Sequence, residues 1–294
     1  MVVKNGLFRG KQGYRCMNCG KQFVSRSRKK STANHLLVHY VFHRQTALQL
    51  AKQYGKSERW VRDTLVQARP AAPSVVPGKT VIIPDVTFFG RDYGILVCRD
   101  PHRKKNIYWC EVTRETIAEY HKARFALEAQ GVIITGVTID GKRGVRHLFS
   151  DVPVQICQFH QAKVVTKYLT RKPKLPAGQE LRQLTLQLKH MNEQLFTALL
   201  NDWHLKWGDF LKERTYAEDG KHWAYTHRRT RAAYRSLKTN LPYLFTYQKY
   251  PELKLPNTTN SADGYFNTLK DLLRTHRGMS KAKRYLLISK ILAR

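Results

Sequence analysis

Acidic residues are scarce in this chain. Its 294 residues include 53 Lys and Arg but only 21 Asp and Glu, so the formal net charge is +32. Solubility alone does not require so large a basic excess, and we expect a polyanionic partner, most simply nucleic acid. Because carboxylates are few, each one inside a structured segment is informative.

Long apolar runs are missing as well. No stretch of 18 apolar residues occurs, which argues against a membrane-spanning helix, and the opening MVVKNGLFRGKQG lacks the apolar segment of a secretory signal. The five cysteines are odd in number and dispersed, which favours reduced thiols over a disulfide framework. These absences predict a cytoplasmic protein with no membrane contact.

The composition that remains supports folded domains. Hydrophobic residues make up 42% of the chain and aromatic residues 11%, enough for a sizeable core. The length of 294 residues exceeds one typical domain of about 100–200 residues. We predict six segments: a partial zinc-ribbon knuckle at 1–30, a helix-turn-helix domain at 31–69, a proline-rich linker at 70–79, the first part of an α/β core at 80–175, an all-helical insertion at 176–255, and the final helices of the core at 256–294.

One cysteine pair has the spacing of a metal-binding knuckle. Cys16 and Cys19 stand in a C-x2-C motif followed by Gly20, between the aromatic residues Tyr14 and Phe23 that short flanking strands would carry. Two thiolates are half of a tetrahedral zinc site, and no second C-x2-C occurs in the sequence. The sequence begins about where an upstream pair would precede VVKNG, so one interpretation is a truncated or degraded zinc ribbon.

Three histidines offer other ligands for the same ion. His35, His39 and His43 recur every four residues and so would share one helix face. Cys16, Cys19, His35 and His39 would then form a two-cysteine, two-histidine finger. A turn without any metal is the third alternative, and the sequence leaves all three open.

Residues 46–65 have the pattern of a helix-turn-helix. Gly55 supplies the turn, and Ser57 can cap the second helix. In that arrangement Arg59 and Arg62 point outward from the recognition helix, where DNA would be contacted. An ordinary helical hairpin is the alternative. The predicted inward-facing positions are Leu48, Leu50, Ala51, Tyr54, Trp60, Val61 and Leu65.

From residue 80 the pattern changes to short strands and helices, in the order βββαβαβα. The first three strands can form an antiparallel meander, and right-handed crossovers would add the later strands in parallel. This is the layout of an RNase H-like fold in the α/β class. The predicted strands are 80–86, 93–99, 106–112, 132–139 and 152–158.

Three aspartates occupy informative places in that layout. Asp85 interrupts the first strand and Asp140 ends the fourth, its neighbour in such a sheet, so both carboxylates could reach one divalent ion. Asp263, near the start of a later helix, is the candidate for a third carboxylate, although it could instead cap that helix. Magnesium prefers a few carboxylates with water and phosphate oxygens, and a pair of such ions can catalyse phosphodiester displacement.

The predicted insertion also carries a cluster of arginines. A helix that bears them could contact phosphate groups, and a solvated helix face is the alternative. The four residues are Arg228, Arg229, Arg231 and Arg235.

These motifs together resemble a bacterial insertion-sequence transposase of the mutator-like class, in its zinc-ribbon-bearing variant. The resemblance extends over nearly the whole chain. It rests on Trp203 in the insertion and on the segments YRCMNCGKQF, YVFHRQTALQLAKQYG, IIPDVTFFG, VTIDGKRG, CQFHQ and TTNSADGYFNTLKDLLRTHRGMS.

The resemblance implies a DNA transposase whose Asp-Asp-Glu triad, on an RNase H-like core, holds Mg²⁺ or Mn²⁺. Asp85 and Asp140 match the two aspartates, and Asp263 stands where the family usually has glutamate. Cys157 and His160 match a C-x2-H motif that helps to organise the active site.

The implied partners are element-end repeats and target DNA, held by a homodimer or larger assembly in the bacterial nucleoid. Lys142, Arg143 and the insertion arginines would bind phosphates, and Zn²⁺ would occupy the knuckle. Because Asp is one methylene shorter than Glu, the alternative is a catalytically decayed transposase that acts as a sequence-specific DNA-binding protein. A structure-specific nuclease of the same fold is a further rival.

Overall fold

The computed structural model describes residues 1–8, 10–24, 32–142, 144–276 and 278–293. Arg143, predicted to bind phosphate, lies outside these residues. The chain divides into two compact units: Met1–Pro70 with Leu272–Leu287, and Ala71–Asp271 with the chain from Ile288 onward. Within the described ranges, no helix is both long enough and apolar enough to cross a membrane.

The first unit opens with a small antiparallel sheet of strands β1 (Val2–Phe8), β2 (Lys11–Cys16) and β3 (Gln22–Val24), paired in that order. The turn between β2 and β3 is closed by the Gly20 N–H, which donates to the Cys16 carbonyl at 2.8 Å. Tyr14 and Phe23 stack across the two strands with ring centroids 5.9 Å apart. The predicted strands on either side of the cysteine pair are therefore confirmed. Strand β1 was not predicted from the sequence.

Three helices follow in the first unit: α1 (Thr32–Phe42), α2 (Ala47–Tyr54) and α3 (Glu58–Val66). A capping box of Thr46 and Gln49 starts α2, and Gly55 ends it in the left-handed region at φ +60°. The Ser57 hydroxyl accepts the Trp60 N–H at 3.1 Å and so caps α3. The predicted turn and cap are confirmed. Leu50, Ala51, Val61 and Leu65 are buried, whereas Leu48, predicted to face inward, is exposed.

The second unit is built on a five-stranded mixed sheet, which confirms the α/β class. The strands lie in the order β6-β5-β4-β7-β8, with β4 to β6 antiparallel and β7 and β8 parallel to β4. Ile82, Leu96 and Val137 are buried in its central strands, as their apolar runs predict. The elements are β4 (Gly78–Phe88), β5 (Gly94–Asp100), β6 (Lys105–Val112), α4 (Ile117–Glu128), β7 (Val132–Ile139), α5 (Val145–Leu148), β8 (Val154–Ile156) and α6 (Gln158–Leu169).

The linker predicted at 70–79 ends earlier than expected. Gly78 and Lys79 already pair with Val132 and Ile133 of β7, so β4 begins just after Pro77. The proline pattern marked the irregular segment correctly, but the pairing partner that extends the strand lies far away in the sequence.

The insertion predicted at 176–255 is not all-helical. Besides α7 (Pro176–Leu186) and α8 (Glu193–Trp207), it contains a hairpin of β9 (Arg214–Tyr216) and β10 (Trp223–Tyr225), then α9 (Arg228–Leu244) and α10 (Thr246–Lys249). Strands of three residues are too short to show a clear alternating pattern. Trp203 is buried, where its ring stacks on Tyr234 and its N–H donates to the Ala177 carbonyl at 3.0 Å.

The last two helices are α11 (Asn260–Arg274) and α12 (Lys281–Leu292). The segment 256–294, predicted to belong wholly to the core, is divided between the two units. Its part from Leu272 to Leu287 belongs to the first unit, where the His276 ring stacks on Tyr40 and its Nε2 donates to the Tyr40 carbonyl at 2.7 Å.

Candidate active site

Asp85 and Asp140 lie at the same edge of the mixed sheet. β4 and β7 are parallel neighbours in which Ile82 is opposite Val137. Continuing this register by three residues brings Asp85 level with Asp140, which directly follows the end of β7. Because neighbouring strands are about 4.8 Å apart, the sequence-predicted pair is brought together.

The half-buried carboxyl group of Asp85 holds its proton unusually tightly. Burial, and next the negative charge of Asp140, raise its pKa to about 7. The Val86 N–H donates to Asp85 Oδ1 at 2.7 Å and lowers this pKa, whereas the charge of Asp263 raises it further. All three predicted carboxylates therefore belong to one electrostatic cluster.

The loop after Asp140 is fixed by its own backbone. The Lys142 N–H donates to Asp140 Oδ1 at 3.0 Å. Gly141 and Gly144 have φ values of +92° and +91°, a region that residues with side chains rarely adopt. The Lys142 ammonium group donates to the Glu115 carbonyl at 2.9 Å and lies 3.2 Å from the Glu115 carboxylate. The predicted phosphate ligand Lys142 is thus already paired with an acid.

Glu115 is a further acidic residue at this site, and the sequence did not single it out. It precedes the α4 cap Thr116, a place where an acid usually signals only a helix start. The Tyr120 hydroxyl donates to Glu115 Oε1 at 2.7 Å. Burial, followed by the charge of Glu115, raises the pKa of Tyr120 far above its ordinary value, and Asp140 and Asp85 add to this. Tyr120 therefore remains a hydrogen-bond donor that orients Glu115.

Asp263 is linked to the predicted Cys157 and His160 through one threonine. Thr259, fully buried just before α11, donates through its N–H to Cys157 Sγ at 3.2 Å. Its hydroxyl lies 3.2 Å from Asp263 Oδ2, 3.2 Å from His160 Nδ1 and 3.4 Å from Cys157 Sγ. The structure therefore brings the C-x2-H pair to the third carboxylate. Thr259 was missed because nothing in its local sequence distinguishes it from an ordinary helix start.

Cys157 and His160 each favour the charged form of the other side chain. Burial would raise the pKa of the Cys157 thiol, but hydrogen bonds with His160 and Thr259 outweigh it and hold the pKa below its usual value. The hydrogen bond with Cys157 raises the pKa of His160 against the effect of burial, and the charge of Asp263 contributes. A thiolate and an imidazolium thus favour each other beside Asp263.

The aspartate cluster fits a divalent cation in its chemistry. In the part of the chain that the structure describes, no three His, Cys, Asp or Glu side chains are gathered into a metal-binding group. Burial and the nearby charge of Asp140 raise the pKa of Asp85, and both costs of ionising this carboxyl group would be offset by a cation. Carboxylate oxygens are the donors that Mg²⁺ and Mn²⁺ prefer. Asp85 and Asp140 fit such an ion, and Asp263 belongs to the same cluster, with its Oδ2 3.2 Å from the Thr259 hydroxyl.

The N-terminal candidates are not assembled into a metal site among the described residues. The Cys16 pKa is lowered by the backbone N–H groups of Cys19 and Asn18. His35, predicted as an alternative ligand, has Nδ1 2.7 Å from the Tyr54 hydroxyl, and its ring packs on that of His39. Zinc at Cys16 and Cys19 therefore stays a prediction.

The predicted DNA-binding arginines are largely accessible. Arg59 is 92% exposed and lies 3.8 Å from Asp63, and Arg62 is 2.7 Å from Glu58. On α9, Arg228, Arg229 and Arg235 are exposed, and the half-buried Arg231 donates to the Leu211 carbonyl at 3.2 Å.

Comparisons with known proteins give no family for this chain. No model of a known protein family matches it, and neither does any curated protein. Among solved structures, a chain of the simian T-cell lymphotropic virus intasome in complex with the PP2A regulatory subunit B56 gamma is similar at 14% identity. The match covers 53% of this chain and 69% of that chain, with a TM-score of 0.22. A TM-score this low supports no argument.

Proposed function

We propose that the chain is a DNA transposase with an RNase H-like core, acting on the ends of an insertion sequence. The observation that carries the proposal is the electrostatic cluster of Asp85, Asp140 and Asp263, three carboxylates distant in sequence within a strongly basic chain. The mixed sheet supports it, because an antiparallel meander followed by parallel strands is the arrangement expected of such a core.

Asp85 and Asp140 would hold Mg²⁺ or Mn²⁺, with Asp263 as a third ligand. When bound, these ions supply Lewis-acid stabilisation of charge on the phosphate that reacts. Lys142 would neutralise a neighbouring phosphate oxygen, and Thr259 would position Asp263 relative to Cys157 and His160. No Ser or Tyr nucleophile is assigned, because displacement by water or a 3′ hydroxyl requires no covalent enzyme intermediate.

The remaining parts would recognise DNA. α3 would enter the major groove with Arg59 and Arg62 exposed, and the α9 arginines would contact phosphates. Zinc bound by Cys16 and Cys19 would brace the N-terminal sheet. Since two element ends must meet, we propose a homodimer or larger assembly on DNA in the bacterial nucleoid.

Strand cleavage and strand joining by the full chain, with labelled element-end DNA and Mg²⁺, test this proposal directly. Cleavage with joining supports a transposase. Cleavage without joining would indicate a nuclease of the same fold, and binding without either reaction would indicate the decayed DNA-binding form.

We expect Asp263→Glu to cleave faster than the parent chain. The added methylene extends the carboxylate by roughly 1 Å, and a misplacement of that size can change a rate on the order of 100-fold. The measurement is single-turnover cleavage at saturating Mg²⁺. Asp263→Asn is the matched control and should be slower than both. A Glu variant no faster than the Asn variant would remove Asp263 from the proposed site.

DNA affinity should fall steeply with salt. If about five phosphates are contacted, the slope of log affinity against log salt is roughly −4.5, because each contact contributes about −0.9. Fluorescence anisotropy with a duplex between about 50 and 200 mM salt measures it. A slope near zero would contradict a phosphate-binding role for the basic excess.

A further inference from the structure

The β9–β10 hairpin presents aromatic rings on one face. Trp223 is paired with Tyr216 and Tyr225 with Arg214, and paired residues of an antiparallel ladder point to the same side. These four residues, which we call the aromatic platform, are partly accessible: Tyr216 is 57% and Trp223 43% exposed. The Arg214 guanidinium lies 4.0 Å from the Trp223 ring centre.

A groove with a volume of about 620 Å³ adjoins the platform. We call it the arginine groove. Its cationic wall is formed by α9, whose Arg228, Arg231 and Arg235 line it, and Tyr168 and Tyr225 add aromatic surface. Arg231 lies 3.7 Å from the Tyr225 ring centre. Its Nε is buried and, among the described residues, has no hydrogen-bond partner. Tyr225 therefore belongs to both the platform and the groove.

The charge of this surface fits an anionic chain. Within the described part of the protein, the residues that line the arginine groove include three arginines and no acid. A second groove, of about 430 Å³, runs along the hairpin and is lined by Tyr216, Trp223 and Arg228. The described residues that line this second groove include no acid. Aromatic rings beside arginines are the combination that binds single-stranded nucleic acid, through stacked bases and neutralised phosphates.

The arginine groove also leads toward the aspartate cluster. Thr239 and Asn240 line both the arginine groove and another groove of about 350 Å³. That other groove is lined by Gly141, Lys142 and Gly144 of the loop after Asp140. A strand lying along α9 would therefore reach the loop that directly follows Asp140.

We propose that the aromatic platform and the arginine groove bind unpaired nucleotides of a DNA strand next to the cleavage site. In a duplex the faces of the bases are covered by their neighbours, so the exposed rings of Tyr216 and Trp223 can stack only on bases that have left the duplex. This inference rests on the proposed function, since it is the cleavage site that would generate a distorted or unpaired end.

The test uses the full chain carrying Asp140→Asn, so that binding is measured without cleavage. A labelled single-stranded DNA 20-mer and the same sequence as a duplex are titrated by fluorescence anisotropy. Trp223→Ala and Tyr216→Ala should each weaken single-strand binding by about tenfold or more while changing duplex affinity less than about threefold. Trp223→Phe keeps a ring and should retain most of the binding.

Phe125→Ala is the matched control, because Phe125 on α4 is 67% exposed and lines neither groove. It should leave both affinities unchanged. Equal single-strand binding by Trp223→Ala and Phe125→Ala would overturn the inference. Tighter binding of an RNA 20-mer of the same sequence than of the DNA 20-mer would also overturn it. Cleavage by the parent chain is scored separately. If the parent chain cleaves DNA but Trp223→Ala binds single-stranded DNA as well as the parent does, only this inference fails and the proposed function stands.

Discussion

Asp140→Asn should slow DNA strand cleavage by about 100- to 1000-fold and leave DNA binding intact. The variant would hold the divalent ion less well, and losing one source of charge stabilisation in a transition state costs about this much. The amide keeps an oxygen that can accept the Lys142 N–H, which Asp140 accepts at 3.0 Å, so the loop should keep its shape. What the variant loses is the negative charge beside Asp85. Single-turnover cleavage and duplex affinity, measured on the same preparations, separate the two effects.

The control for this experiment is Asp92→Asn. Asp92 is exposed in the turn between β4 and β5 and is not among the charges that shift the pKa of Asp85, so the substitution makes the same change in net charge outside the cluster. The Asp92→Asn variant should cleave DNA at the same rate as the parent chain. If Asp140→Asn and Asp92→Asn cleave alike, the carboxylate cluster is not the reactive centre and the transposase mechanism proposed for it fails.

Asp85→Asn should stabilise the metal-free protein at pH 8 but much less at pH 5. The folded state raises the pKa of Asp85 from 3.8 to about 7. Between these values the unfolded chain loses the proton while the folded chain keeps it, so stability falls as the pH rises. At about 1.4 kcal/mol per pKa unit, the carboxyl group costs up to about 4 kcal/mol above pH 7. The amide carries no such cost.

The free energy of unfolding, measured by urea denaturation in the presence of a chelator at pH 5 and at pH 8, tests this effect. Asp92→Asn is again the charge-matched control and should show no comparable pH dependence. Added Mg²⁺ should stabilise the parent at pH 8 more than it stabilises Asp85→Asn, because a bound cation offsets the buried charge. A stabilisation by Asp85→Asn that is equal at the two pH values would mean that Asp85 is ionised normally in the folded protein.

The sequence predicted the parts of this site that depend on local pattern. The apolar run of β7 and the aspartate that ends it are visible in one short segment, and the structure gives β7 the predicted bounds. The proximity of Asp85 and Asp140 followed from strand order. Glu115 and Thr259 could not be found in this way, because their roles come from contacts with Lys142 and Cys157, which are neighbours only in the folded chain.

The helical insertion shows a second limit of sequence patterns. The β9–β10 hairpin contains aromatic residues close to Arg214 and Trp223, as strands often do, but each of its two strands has only three residues. A period of two cannot be distinguished from irregular chain over so short a length. Because long amphipathic helices flank the hairpin on both sides, the sequence pattern predicted helix across the whole segment.

The ion pair between Lys142 and Glu115 changes what a phosphate would encounter there. An arriving anion does not meet a bare cation but must displace a resident carboxylate, so binding at this lysine is an exchange with little net gain. A loosely held fragment would compete poorly in that exchange. A strand anchored elsewhere on the protein would succeed, and substrate length would then act as a filter at the proposed cleavage site.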